Sequence, residues 1–237
     1  MADFPFGIVG FDLDGTLLDT SADLLAATNH ALALVGRPTL AADRIRTMIG
    51  GGAKRMLEQG LRASGGLDDA LMARAYPALL DFYGDNLSNG TVPFPGMLAA
   101  LDDLAARGVT LAIVTNKFER FATRLLADLG LDRRFAAIIG GDTMGKGNAK
   151  PSPAPIHEMI RRCGGGRAAF VGDSIYDIQA ARHADIPSIA VGFGFLTQPV
   201  ETLGADAVIE DFAALVPALL RLANAPCATS STNAAPA

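Results

Sequence analysis

Residues 8–16 read Ile8-Val9-Gly10-Phe11-Asp12-Leu13-Asp14-Gly15-Thr16, an apolar run that stops at two carboxylates, a glycine and a threonine. Such a run has the pattern of a buried strand that delivers polar groups to one edge of a sheet. A buried strand has no use for that ending. Two like charges so close together repel unless a cation or a proton lies between them, so the run marks a site.

Four more short apolar runs, at 111–114, 137–139, 168–171 and 188–191, predict further strands. Helical patterns occupy 98–107, 118–129 (closed by Gly130), 154–163 and 175–184. This alternation predicts an α/β fold, a Rossmann-like three-layer core with a central parallel sheet covered on both faces.

The stretch from Thr20 to Pro93 breaks the alternation, because it reads as helical throughout. Ser21 is placed to cap a helix carrying Leu24, Ala27, Ala31 and Leu34 at 3–4 spacing, ended by Gly36 and Pro38. Two further helices are expected at about 53–63 and 67–87. Some 70 helical residues are too many for an ordinary crossover. A helical domain is therefore expected at 20–93, inserted into a core formed by 1–19 and 94–223, with Pro93-Phe94-Pro95-Gly96 as the return hinge. Residues 224–237 are small and polar with little to bury, and are expected to form a disordered tail.

The bulk composition narrows the functional classes. The chain has 237 residues, 50% of them hydrophobic, 19% charged, and a net charge of −5, so no polybasic face is offered to nucleic acid. No stretch approaches the roughly 20 apolar residues of a membrane span. Cys163 and Cys227 form neither a zinc motif nor a disulfide framework, which points to a reducing cytoplasm.

Ligands of open parallel sheets bind beyond the carboxyl ends of the strands. There this chain places Asp12 and Asp14, then Thr115-Asn116-Lys117, Lys150-Pro151, and Gly172-Asp173-Ser174 with Asp177. Convergence of these ends would gather four carboxylates, a hydroxyl and an ammonium. Hard oxygen donors without thiolate or imidazole favour Mg²⁺ over zinc. Mg²⁺ with a lysine would then attract a phosphate that the acids alone would repel.

Asp12-x-Asp14-Gly15-Thr16, Thr115-Asn116, Lys150-Pro151 and Gly172-Asp173-Ser174-x-x-Asp177 resemble the four signatures of haloacid dehalogenase-like hydrolases, across nearly the whole chain. The helical insertion resembles that superfamily's C1-type cap domain, and the runs 10–20 and 114–117 look most like its phosphoglycolate phosphatases. The resemblance implies Asp12 as nucleophile and Asp14 as general acid and base, with Thr115 and Lys150 completing the catalytic set. Phosphate would meet Asp12, Gly15, Thr115, Asn116 and Lys150. Mg²⁺ would be held by Asp12, Asp14 (through its carbonyl), Asp173 and Asp177. The implied reaction is hydrolysis of a small phosphorylated metabolite, 2-phosphoglycolate first, by a monomer or homodimer. Sugar or amino-sugar phosphates, phosphosugar mutase or phosphonatase chemistry, and a receiver-like or inactive phosphate-binding module are the alternatives.

Several features have competing explanations. Asp177 could instead favour the helix start after Ser174 through the macrodipole. Lys146 competes with Lys150, although the following Pro151 supports the latter. The run Gly140 to Lys146 has P-loop glycine spacing but lacks the required Ser or Thr, because Gly147 stands there. In Gly50-Gly51-Gly52-Ala53-Lys54-Arg55, glycine amides at Gly51 and Gly52, with Lys54 or Arg55, could reach the non-phosphate end of a substrate. The same segment could be a flexible connection with two solvated cations.

Overall fold

The computed structural model describes residues 4–224. Residues 225–237, most of the expected tail and including Cys227, lie outside that range, as do Met1 to Asp3. Eight strands are present among the described residues: β1 (Ile8–Phe11), β2 (Leu18–Asp19), β3 (Val92–Pro93), β4 (Thr110–Val114), β5 (Ala137–Ile139), β6 (Ala168–Gly172), β7 (Ser188–Val191) and β8 (Ala207–Ile209). The α-helices are α1 (Ser21–Leu34), α2 (Ala42–Arg46), α3 (Ala53–Ala63), α4 (Asp69–Asp85), α5 (Met97–Ala106), α6 (Glu119–Asp128), α7 (Ala154–Arg162), α8 (Ile175–His183) and α9 (Leu215–Asn224).

Six strands form one parallel sheet in the order β5-β4-β1-β6-β7-β8. Because side chains alternate along a strand, each central strand feeds two cores. Val9, Phe11, Leu111, Ile113, Ala169 and Val171 pack with α5, α6 and α9 on one face. Ile8, Ala112, Val114 and Phe170 pack with α7 and α8 on the other. The three-layer α/β core expected from the apolar runs is the fold observed. Strand order reverses at β1, between β4 on one side and β6 on the other, which puts the ends of all three strands beside one crevice.

Helices α1 to α4 lie between β2 and β3, which pair antiparallel with Asp19 opposite Val92. They bury a hydrophobic cluster of their own that includes Leu24, Ala31, Met56, Leu57, Leu61 and Leu79, and Phe121 and Phe195 join it from outside the segment. Buried Asp23 accepts hydrogen bonds from the Gly90 amide and the Thr91 hydroxyl, fastening α1 to the returning chain. The Asp68 carboxylate caps α4 by accepting from the Ala70 and Leu71 amides.

Some sequence expectations need correction. Ser21 is the first helical residue rather than the cap: its amide and hydroxyl both donate to Asp19 Oδ1, at 3.0 and 2.5 Å. Leu34, expected on the apolar face of α1, is its last helical residue and is 50% exposed. Strand β8 and helices α2 and α9 were not anticipated. Asp185, just after α8, adopts φ +56, the left-handed conformation that Asp tolerates better than most residues.

Candidate active site

Phe11 of β1 is level with Ile113 of β4 and Val171 of β6, so the residues that follow each strand emerge side by side. The chain after β1 folds into a tight loop in which the Leu17 and Leu18 amides donate to Leu13 O at 3.1 and 3.0 Å, and the Gly15 amide donates to Leu18 O at 2.9 Å. This loop requires φ +88 at residue 15. A Cβ there would lie 2.2 Å from Asp173 Oδ2, so the loop and the β6 terminus fit together only with glycine. Gly15→Ala is therefore expected to lose about 2–4 kcal/mol of stability from strained backbone and overpacking. Urea unfolding checks this, and an unchanged midpoint would show that the two loops are not in tight contact.

Asp12 is buried at the end of β1, Asp173 at the end of β6 and Asp177 in the first turn of α8, with one oxygen from each lying within 4.8 Å of the others. Lys150 enters from the loop after β5 and spends its three N–H donors on Asp12 Oδ1 (2.8 Å), Asp177 Oδ1 (2.5 Å) and Val114 O (2.7 Å). Asp177 Oδ2 accepts from the Ser174 amide and hydroxyl at 2.9 and 2.5 Å, forming a capping box that opens α8. Asp177 thus starts the helix and also belongs to the acidic cluster. Asp173 accepts from the Phe195 amide at 2.7 Å and from the Thr16 hydroxyl at 3.4 Å.

Burial drives the Asp12 carboxyl up to about 7, with Asp177 and Asp14 adding to the rise and Lys150 opposing it. Asp173 is also raised, by burial and then by the charges of Asp177 and Asp12. Burial works against the charge on Lys150, but Asp12 and Asp177 outweigh it and hold the amine protonated. Three buried carboxylates facing one ammonium leave excess negative charge on hard oxygen donors, which fits a divalent cation.

Asp14 points to a different partner. Lys117 Nζ donates to both of its carboxylate oxygens, at 2.6 and 2.8 Å, and the lysine side chain is only 4% exposed. Burial disfavours that charge, yet Asp14 and then Tyr83 raise the Lys117 pKa above its usual value. The ammonium sits 4.8 Å from the Tyr83 ring centroid. The buried Tyr83 hydroxyl has no partner at regular hydrogen-bond distance; burial raises its pKa to about 12 against the opposing charge and weak hydrogen bonding of Lys117. Sequence reasoning gave Lys117 no role. Its signal was its place three residues past the end of a buried strand, at the close of the run 114–117.

Thr115 is buried, and its hydroxyl accepts from the Lys117 amide at 3.2 Å. Asn116 Nδ2 donates to Gly50 O at 3.0 Å and Lys150 O at 3.2 Å, so it ties the helical segment to the sheet edge. A cavity of about 170 Å³ lies between the two, with Asp12, Asp14, Thr115, Asn116 and Lys117 on the sheet side. Gly51, Gly52 and Lys54 form part of the opposite wall. Arg55 is turned elsewhere, its guanidinium lying 5.5 Å from the centre of the Tyr176 ring. Lys146 is exposed and takes no part in the cluster. The cavity is small beside the roughly 300–1,000 Å³ of drug-sized sites, so it suits a ligand of few atoms.

A parallel α/β sheet with acids, a threonine and a lysine gathered at its carboxyl edge is the framework of a metal-assisted hydrolase. The chain belongs to the haloacid dehalogenase-like hydrolases, whose family pattern matches residues 9–191. Within that family it is phosphoglycolate phosphatase-like. It is 43% identical over 213 residues to the phosphoglycolate phosphatase of Agrobacterium fabrum, covering 88% of this chain and 90% of that one. The phosphoglycolate phosphatase of Caulobacter vibrioides is 41% identical over 207 residues, covering 86% of each chain. The crystal structure of a predicted phosphoglycolate phosphatase from Haemophilus somnus superposes with a TM-score of 0.83 at 30% identity, covering 90% of this chain and 97% of that one.

Proposed function

We propose that this protein is a Mg²⁺-dependent phosphatase that hydrolyses 2-phosphoglycolate to glycolate and phosphate. The observation that carries this reading is the pairing of Asp12 with Lys150 at 2.8 Å, on a cavity wall shared with Asp14 and Thr115 and beside two more buried acids. Asp12 attacks phosphorus; the bond from phosphorus to the leaving oxygen breaks and an aspartyl-phosphate forms. Asp14, when protonated, donates to that oxygen as it leaves as an alcohol. It then takes a proton from the water that hydrolyses the aspartyl-phosphate, releasing phosphate and regenerating Asp12.

Thr115 and the Asn116 amide hold phosphoryl oxygens, Lys150 balances charge on Asp12 and the phosphate, and Gly15 lets the loop backbone approach. Asp12, Asp173 and Asp177, with the Asp14 carbonyl, would hold Mg²⁺. When bound, the cation neutralises the acids and the phosphoryl charge. Residues 20–93 act as a cap over a core of 1–19 and 94–223, excluding bulk water from the cavity and leaving space for a small leaving group only. Cys163 is a free thiol among the described residues, which suits a reducing cytoplasm. No helix among the described residues is long and apolar enough to cross a membrane.

The test is phosphate release with Mg²⁺ across 2-phosphoglycolate, sugar phosphates, amino-sugar phosphates and nucleotides. Phosphoglycolate is expected to give the highest kcat/KM, with turnover abolished by chelation and restored by added Mg²⁺. Turnover insensitive to chelation, or a sugar phosphate preferred over phosphoglycolate, would overturn the corresponding part of the reading.

A further inference from the structure

We propose that Lys117 and the Tyr83 hydroxyl together seat a carboxylate on the leaving group, and that this pair sets the enzyme's preference for short phosphorylated acids. The inference rests on the phosphatase reading above and names the side chains that would confer its specificity.

Three observations converge on the pair. Lys117 is the one buried ammonium on the cavity wall among the described residues, since Lys54 on the opposite wall is exposed and Arg55 is directed at Tyr176. Two of its N–H donors reach Asp14, and the third, drawn towards the Tyr83 hydroxyl, has no partner at regular hydrogen-bond distance and is open to another anion. The Tyr83 hydroxyl is buried on the α4 side of the same cavity with no partner at regular hydrogen-bond distance. A buried polar atom left unpaired costs free energy until a ligand satisfies it.

Position selects the kind of ligand. With phosphorus at Asp12 and the leaving oxygen at Asp14, a group joined to that oxygen through one carbon lies beside whatever holds Asp14, namely Lys117. Much of the remaining wall is apolar, with Leu24, Ile49, Leu79, Phe118 and Phe121. A polyhydroxylated sugar would leave its hydroxyls unpaired against these residues, whereas a carboxylate on a single methylene places its charge at the ammonium and the phenol. Tyr83 belongs to α4 and Lys117 to the loop after β4, so the seat is complete only while the helical segment covers the sheet edge.

The test compares 2-phosphoglycolate with 2-hydroxyethyl phosphate, in which an uncharged hydroxymethyl group replaces the carboxylate, in wild type, Tyr83→Phe, Lys117→Met and Lys54→Met. The readout is the ratio of the two kcat/KM values, which a merely structural defect would leave alone because it slows both substrates together. Wild type is expected to prefer the acid. The ratio should fall roughly 10-fold in Tyr83→Phe and roughly 100-fold in Lys117→Met, as for lost hydrogen bonds to a charged group. Lys54→Met should keep the wild-type ratio. Tyr83→Phe removes one oxygen from a buried ring and carries the test if Lys117→Met does not fold. Equal turnover of the two esters by wild type, an unchanged ratio in Tyr83→Phe, or a collapse in Lys54→Met alone would overturn the inference while leaving the phosphatase reading standing. Release of phosphate from neither ester, nor from any other phosphomonoester, would overturn both.

Discussion

Asp12→Asn is expected to give a folded protein that releases no phosphate, with kcat reduced by roughly 10⁴-fold or more, the scale seen when a covalent nucleophile is removed. The amide has the shape of the carboxylate, so its oxygen still accepts from Lys150, now at 2.8 Å from Asp12 Oδ1. It also removes one of the charges that repel one another in the cluster. Burial already pushes the Asp12 carboxyl to about 7, so a neutral group at this position costs the fold little. In chelator the variant should therefore melt at or above the wild-type temperature. Acid-quenched wild-type enzyme caught during turnover should carry a phosphoryl group on residue 12, and the variant none. Turnover within a few-fold of wild type would remove Asp12 from the nucleophile's role.

What could be read from the sequence follows from how local each signal is. Strands β1, β4 and β6 were visible because both faces are buried, which writes a continuous apolar run with polar residues at its end. Strand β8 is a three-residue apolar run at a sheet edge, with Val208 36% exposed, too short to stand out between Asp206 and Glu210. Helix α9 carries Pro217, which resembles a breaker. The proline stands at the third helical position, where the amide it lacks would have had no intrahelical acceptor.

The acids and Lys150 could be picked out because their spacing to neighbouring glycine, threonine and proline is distinctive. Lys117 could not, because its partner Asp14 is 103 positions away and only the parallel pairing of β1 with β4 brings them together. The Phe195 amide that holds Asp173 is a backbone group with no side-chain signature. The two sides of the cavity differ for the same reason: strand ends fix the sheet side, whereas helix packing decides which residues of the helical segment face it. Lys54 and Arg55 are adjacent in sequence, yet only Lys54 reaches the wall.

Lys150→Met should combine a large loss of activity with a large loss of stability, and the two can be separated by metal and pH. All three donors of this ammonium are used, and its side chain and that of Asp177 are 1% and 0% exposed. Its removal leaves buried carboxylates facing one another, and breaking a buried pair by deleting one partner typically costs about 3–5 kcal/mol. Arginine is not expected to rescue the variant, because a planar fork cannot reproduce three bonds from a single nitrogen. Mg²⁺ should reduce the deficit in Tm, since a dication supplies the missing positive charge. The sign of the pH effect follows from Asp12: its folded pKa of about 7 lies above the unfolded value, so the folded state binds more protons in between. That contribution is fully present below about pH 4 and is lost as pH rises through 7, the unfolded carboxyl titrating near 3.9. Without Lys150 to oppose the rise, the dependence steepens, so the metal-free deficit should be larger at pH 8 than at pH 5. Adding Asp12→Asn to Lys150→Met should recover part of the loss, because two neighbouring changes that relieve one repulsion are not additive. Equal deficits at both pH values, with and without Mg²⁺, would place the contribution of Lys150 in packing rather than in charge.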